Sequence, residues 1–117
     1  MNYVLALDAG TTSLKGVMFD AVGNALASEL VEYDLDKPRP DVVELDSEVY
    51  RQSLATVVRN ILDKSRVDPR QIVAMGVTSQ GETLTVVDRD GRPLRHSIVP
   101  ARAPGWYRSM RGSRRRT

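Results

Sequence analysis

The stretch YVLALDAGTTSLKGVMFD, Tyr3 to Asp20, decides the fold. Its first six residues form an apolar run that ends at a carboxylate, Asp8, the pattern of a short buried strand. Ala9 to Ser13 are small and polar, which suits a tight turn. Leu14 to Asp20 is apolar again with partial alternation and predicts a second strand. Gly23-Asn24 is a hairpin signal, and Ala25 to Tyr33 continues as a third strand. Strand, turn, strand, turn, strand implies an antiparallel meander. Because no helix follows the first strand directly, the pattern is not that of a dinucleotide-binding unit.

Beyond the meander, Asp34 to Asp46 carries two prolines and mixed charge and reads as an exposed connection. Asp46 or Ser47 then caps a helix, with Glu48 in the first turn where the helix dipole favours an acid. Val49, Tyr50, Leu54, Val57, Val58, Ile61 and Leu62 recur at helical spacing as one apolar face. Asp68-Pro69 ends that element or opens a short one. Ile72 to Thr78 predicts a buried strand and Thr83 to Asp88 another. Arg89-Asp90-Gly91 predicts a reverse turn, and Leu94 to Val99 a short strand pairing back. The fold class is α/β: a three-strand meander, a helix, then more strands, with no solenoid-type repeat.

Composition narrows the chemistry. The 117 residues suffice for one small domain, and 41% hydrophobic with 27% charged residues is ordinary for a globular chain. Zero cysteines remove disulfides, thiol nucleophiles and thiolate metal sites. A single histidine, His96, reads as a polar residue on an edge strand and leaves no room for a histidine-based triad. The methionines are scattered and read as core filler. No apolar run approaches a membrane span and no signal segment opens the chain, so a cytoplasmic location without membrane partners is expected. Charge is asymmetric: 11 basic against 15 acidic residues precede Pro100, whereas residues 100–117 hold six arginines and no acid.

Asp8 to Lys15 has the parts of a phosphate site. Gly10 lets the backbone take left-handed angles and approach a ligand closely. Successive amides in such a turn form a concave anion site. Thr11, Thr12 and Ser13 add hydroxyl donors and Lys15 a mobile positive charge. Asp8 at the strand end can orient a hydrated Mg2+, which takes one or two carboxylates plus phosphate oxygens. The competing reading of a lone Gly-Thr-Thr is a polar hairpin turn with a solvated lysine. The glycine spacing is neither that of a P-loop nor that of a protein-kinase glycine-rich loop.

The whole stretch, strand–Asp–x–Gly–Thr–Thr–Ser–x–Lys–strand–Asp, resembles the first phosphate motif of the actin, Hsp70 and sugar-kinase superfamily. Within that superfamily LDAGTTSLKGVMFD looks most like the FGGY family of carbohydrate kinases. A second segment, IVAMGVTSQGETL from Ile72 to Leu84, resembles the stretch in which FGGY kinases place ligands to substrate hydroxyls. The resemblance implies a ribonuclease H-like (actin-like ATPase) N-terminal core, ATP and Mg2+ as cofactors, and a small sugar or polyol as substrate. It makes Asp8, Gly10, Thr11, Thr12, Ser13 and Lys15 the ATP-phosphate and metal side, and Gln80, Gly81 and Glu82 the sugar side. Glycerol kinases typically carry an arginine where Gly81 stands, which points to a bulkier sugar or polyol. Taken alone, Gln80 to Glu82 would read as a polar turn between strands.

The resemblance covers residues 1–99 and then breaks. Where the family continues with a Trp-Leu-Asp-x-Arg type segment, this chain has an arginine-, proline- and glycine-rich run to Thr117, and a frameshifted or truncated reading frame is the expected cause. Residues 1–99 are thus read as part of the first FGGY kinase domain, with an incomplete core, and 100–117 as a disordered or frameshifted tail. The base aspartate, which the resemblance puts in a later Gly-x-x-Asp-like segment, has no counterpart among these residues, and no turnover is expected from them alone. A different class of reading is a non-enzymatic α/β binding module whose basic tail, with Trp106-Tyr107, contacts nucleic acid. By the FGGY resemblance nucleic acid is not an expected partner. An acetate-kinase-like or sugar-repressor branch of the superfamily is a third reading, disfavoured by Ser79 to Glu82. No residue pattern names the sugar or sets an oligomeric state.

Overall fold

A computed structural model of the chain describes residues 1–99. The meander is present: β1 (Tyr3–Ala9), β2 (Ser13–Asp20) and β3 (Ala25–Glu32) pair antiparallel in sequence order. The β2–β3 hairpin closes where Gly23 takes a positive φ of 92°, and Asp20 holds the loop by accepting from Val22 N and from Asn24 N and Nδ2. That carboxylate lies below its ordinary pKa, chiefly because the Asn24 side chain donates to it.

Helix α1 (Ser47–Ser65) starts at the expected cap: the Asp46 side chain accepts from Glu48 N at 2.9 Å. It ends at Arg66, whose left-handed φ of 57° turns its N–H onto Leu62 O. Val57 and Ile61 are fully buried and join Leu5, Leu7, Leu14 and Met18 in the main core. The helix lies across β2 and β3 and packs directly over Gly16. A Cβ there would stand 2.6 Å from Ile61 Cδ1 and 2.6 Å from Val57 Cγ1.

After a 3-10 turn (Pro69–Gln71) capped by Asp68, the chain returns as β6 (Ile72–Ser79) and pairs parallel with β1. The sheet order is β3-β2-β1-β6. A second sheet of order β4-β5-β7 is made by β4 (Asp36–Arg39), β5 (Val42–Leu45) and β7 (Ser97–Val99). Val43, Leu45 and Val99 form its small core.

Four expectations are corrected. Asp34 to Asp46 is not an exposed connection, because β4 and β5 lie within it and Val43 and Leu45 are buried. Charged neighbours hide that alternation: Val43 and Leu45 face the core while Asp41 and Glu44 flank them. Thr83 to Asp88 is not a strand; it makes only isolated bridges, Leu84 to Ile98 and Val87 to Pro93. Nor is Ile72 to Thr78 buried. Val73, Met75 and Val77 are 59, 61 and 63% exposed, because β6 is the sheet edge and α1 covers β2 and β3 instead. His96 immediately precedes β7 and is not within a strand. The arginine-rich tail and Trp106-Tyr107 lie outside the described residues.

Gly16→Ala should lower stability by about 1–3 kcal/mol, because the methyl must displace two buried side chains. Gly76→Ala, where a Cβ meets nothing within 4 Å, should stay within about 0.5 kcal/mol of the parent. Urea midpoints of the two variants test this; equal losses would mean that α1 does not dock on position 16.

Candidate nucleotide and substrate site

The dual pairing of β1 sets the site. Its C-terminal end leads into the turn Gly10–Thr12, and β6 runs beside it in parallel, so Ser79 to Glu82 leaves the sheet next to that turn. Gln80 N donates to Ala9 O at 3.1 Å and fixes the two exits together. Thr11, Gln80, Gly81 and Glu82 line one cleft of about 390 Å³. Residues 69 positions apart in sequence thus form a single concavity.

Inside the turn, Gly10 N donates to Ser13 O at 2.8 Å. Gly10 does not take the left-handed angles expected of it; among the described glycines positive φ occurs at Gly23 and Gly91. Its requirement is space, since a Cβ would sit 3.0 Å from Ser13 O. Among the described residues the amides of Thr11 and Thr12 have no hydrogen-bond partner, which leaves two adjacent donors for an anion. Thr11 Oγ1 donates to Gln80 Oε1 at 2.6 Å. Gln80 Nε2 donates to Tyr50 Oη at 2.7 Å and to Gly10 O at 3.4 Å. Both Gln80 donors are therefore engaged within the protein, and the amide joins the Gly10–Ser13 turn to the Ser79–Glu82 segment. Glu82, by contrast, is exposed, and Gly81 has open space where a side chain would stand.

Asp8 and Lys15 are cross-strand partners on the sheet face opposite Leu7 and Gly16. Thr78, beside Asp8 in the parallel ladder, donates Oγ1 to Asp8 Oδ1 at 3.0 Å. No ion pair joins Asp8 to Lys15 among the described residues, so both charges are available. No group of three or more potential metal ligands occurs among the described residues.

Two tyrosines were not legible as site residues. Tyr33 reads as the end of a strand and Tyr50 as part of the apolar helix face. Their rings meet edge to face at 5.5 Å, and both hydroxyls point at the site. The available signal was that buried tyrosines nearly always give their hydroxyl a partner. Thr78 escaped notice because its place beside Asp8 depends on the β1–β6 register.

Residues 3–111 match the family described as FGGY family of carbohydrate kinases, N-terminal domain. The chain belongs to that family. The match runs past Val99. The glycerol kinase of Thermococcus gammatolerans is 40% identical over 98 residues, which cover 84% of this chain and 20% of that enzyme. The gluconate kinase of Lactobacillus acidophilus superposes with a TM-score of 0.76 at 28% identity, over 84% of this chain and 19% of that one. The ligand-bound xylulose kinase of the same species gives 0.77 at 27% identity, over 85% and 20%. The fold is accordingly the actin-like ATPase fold of FGGY sugar kinases, of whose length this chain spans about one fifth.

Burial, then the neighbouring Tyr50 and Asp8, push the Tyr33 phenol up to about 12. A phenol raised above its unfolded value near 10 stabilises the fold fully below pH ~10, and that contribution is lost as pH rises through ~12. Phenolate absorbance should show one of the four tyrosines titrating last, near 12. Between those pH values the urea midpoint should fall less in Tyr33→Phe than in the parent. Identical declines would remove Tyr33 as the responsible group.

Proposed function

We propose that this chain supplies the phosphate side and part of the hydroxyl-binding side of an ATP-dependent sugar or polyol kinase. The observation that carries this is the bond from Thr11 Oγ1 to Gln80 Oε1. It joins the Gly10–Ser13 turn to the Ser79–Glu82 segment at a cleft lined by Thr11, Gln80, Gly81 and the exposed Glu82. The residues present fit the expected cofactors. The amides of Thr11 and Thr12, the hydroxyls of Thr12 and Ser13 and the Lys15 ammonium would hold phosphate oxygens, and Asp8 would hold Mg2+. Bound ATP with its metal supplies the phosphoryl group and neutralises its charge.

The chain's own part is positioning. The turn fixes the phosphate chain by donors that are already oriented, which lowers the cost of ordering the reactants. Glu82 accepts hydrogen bonds from substrate hydroxyls and orients the acceptor. Thr78 holds one oxygen of Asp8 and leaves the other toward solvent. The space at Gly81 favours a sugar or polyol larger than glycerol, even though the Thermococcus relative is a glycerol kinase. The base that takes the acceptor proton, and the groups that bind adenosine, belong to parts of the family's machinery that these residues do not supply.

Two measurements test the proposal. Titration calorimetry of the chain with Mg·ADP should show binding that weakens about five- to thirtyfold in Asp8→Asn and in Lys15→Ala, the loss expected for one charge-assisted contact. Binding unchanged in both variants would sink the phosphate assignment. A coupled ADP-release assay over pentoses, ketoses and polyols should show no sugar-dependent turnover by the chain alone; turnover would mean that the base lies within it.

A further inference from the structure

Tyr33 is the one side chain that reaches the phosphate turn from the far end of β3. Its hydroxyl lies 2.5 Å from Gly10 O and 3.0 Å from Ser13 O, one proton shared between two carbonyls. Its own amide donates to Thr12 O at 2.9 Å. A single residue therefore engages the carbonyls of Gly10, Thr12 and Ser13, three of the four in the segment that carries the anion site. The ring is held in place by its edge-to-face contact with Tyr50. Tyr50 in turn accepts from Gln80.

Peptide groups are planar, so fixing a carbonyl fixes the direction of the amide that follows it. With Gly10 O drawn toward Tyr33, the N–H of Thr11 must point the other way. With Thr12 O bound to Tyr33 N, the N–H of Ser13 is likewise set. An unheld turn of this composition samples many backbone states, and ordering it on binding would cost conformational entropy.

From this geometry we infer that Tyr33 is a positioning residue for the phosphate site: its hydroxyl clamps the carbonyls of Gly10 and Ser13 so that the Thr11 amide faces the anion before it arrives. The inference rests on the assignment of Gly10 to Ser13 as the phosphate turn, and adds a residue that neither motif contains. Tyr33 touches no phosphate itself; it acts through Gly10 and Ser13.

The test uses the full 117-residue chain, uniformly labelled for amide NMR, titrated with magnesium tripolyphosphate. The parent should bind with the largest shifts at the Thr11 and Thr12 amides. Tyr33→Phe keeps the ring, its contact with Tyr50 and the backbone bond to Thr12, and removes only the hydroxyl. It should bind about three- to tenfold more weakly, the effect of one lost hydrogen bond. Amide shifts in the Asp20–Ala25 hairpin should be unchanged, which separates a local clamp from a general loss of structure. Parent and variant binding equally would overturn the clamp while leaving the phosphate turn intact. A parent that shows no shift at Thr11 or Thr12 would overturn the phosphate turn itself, and the clamp with it. Should Tyr33→Phe not fold, the parent alone decides. A slowly exchanging Tyr33 hydroxyl proton with a cross-peak to the Gly10 Hα protons supports the clamp, and its absence refutes it.

Discussion

The main-chain ladder of β1 is the constraint on which the site depends. On one edge β1 pairs antiparallel with β2, so the chain must reverse directly after Ala9 and make the Gly10–Thr12 turn. On the other edge it pairs parallel with β6, so the segment after Ser79 emerges at the same end. An antiparallel β6 would have put Gln80 to Glu82 at the opposite end of the sheet, roughly 20 Å away for a strand of this length. The parallel pairing needs a crossover, which α1 supplies. The helix thus serves the site by its direction, without lending more than Tyr50 to it.

That crossover packs across β2 and β3, and over β2 it comes close enough to exclude a side chain. Gly16 has no side chain because Val57 and Ile61 occupy the space a Cβ would take. The sequence marks Gly16 only as a glycine within a strand, where it costs stability unless something approaches closely. What approaches is the helix, and its identity is visible only in three dimensions. The same close packing shifts α1 toward β2 and β3 and leaves β6 with Val73, Met75 and Val77 exposed. A strand of apolar composition thus stands at the sheet edge without a covering element among the described residues. That agrees with a chain spanning about one fifth of the length of its relatives.

Local signals were legible where local chemistry decides the structure. Asp20 and Gly23-Asn24 specify their hairpin, Asp46 its helix cap, and Asp88 with Gly91 a turn in which Asp88 accepts from Asp90 N and Arg92 N. Long-range packing was not legible. Val43 and Leu45 alternate correctly for a half-buried strand, but two prolines and the surrounding charges outweigh four residues of alternation. Thr83 to Asp88 carries strand-like residues yet finds only single bridges, since β propensity acts only where a neighbouring strand is in register. The two motifs were legible as separate segments, and that they meet at one cleft was not. Their supports, Tyr33, Tyr50 and Thr78, were not, because each depends on a contact across at least 20 residues.

Hydrogen-bond capacity separates Gln80 from Glu82, which resemblance groups together. A glutamine amide has two donor hydrogens and one acceptor oxygen. Both donors are directed to Tyr50 and Gly10, and the oxygen already accepts from Thr11. Reading a sugar hydroxyl with a donor of Gln80 would break one of these bonds and leave a part-buried partner unsatisfied, at a cost comparable to the hydrogen bond gained. Glu82 has no such commitments and keeps its oxygens exposed. Glu82 thus keeps uncommitted acceptor oxygens at the cleft, whereas Gln80 ties the Ser79–Glu82 segment to the Gly10–Ser13 turn. A displacement of either segment strains the same two side-chain bonds, Thr11–Gln80 and Gln80–Gly10, so the two segments are mechanically coupled.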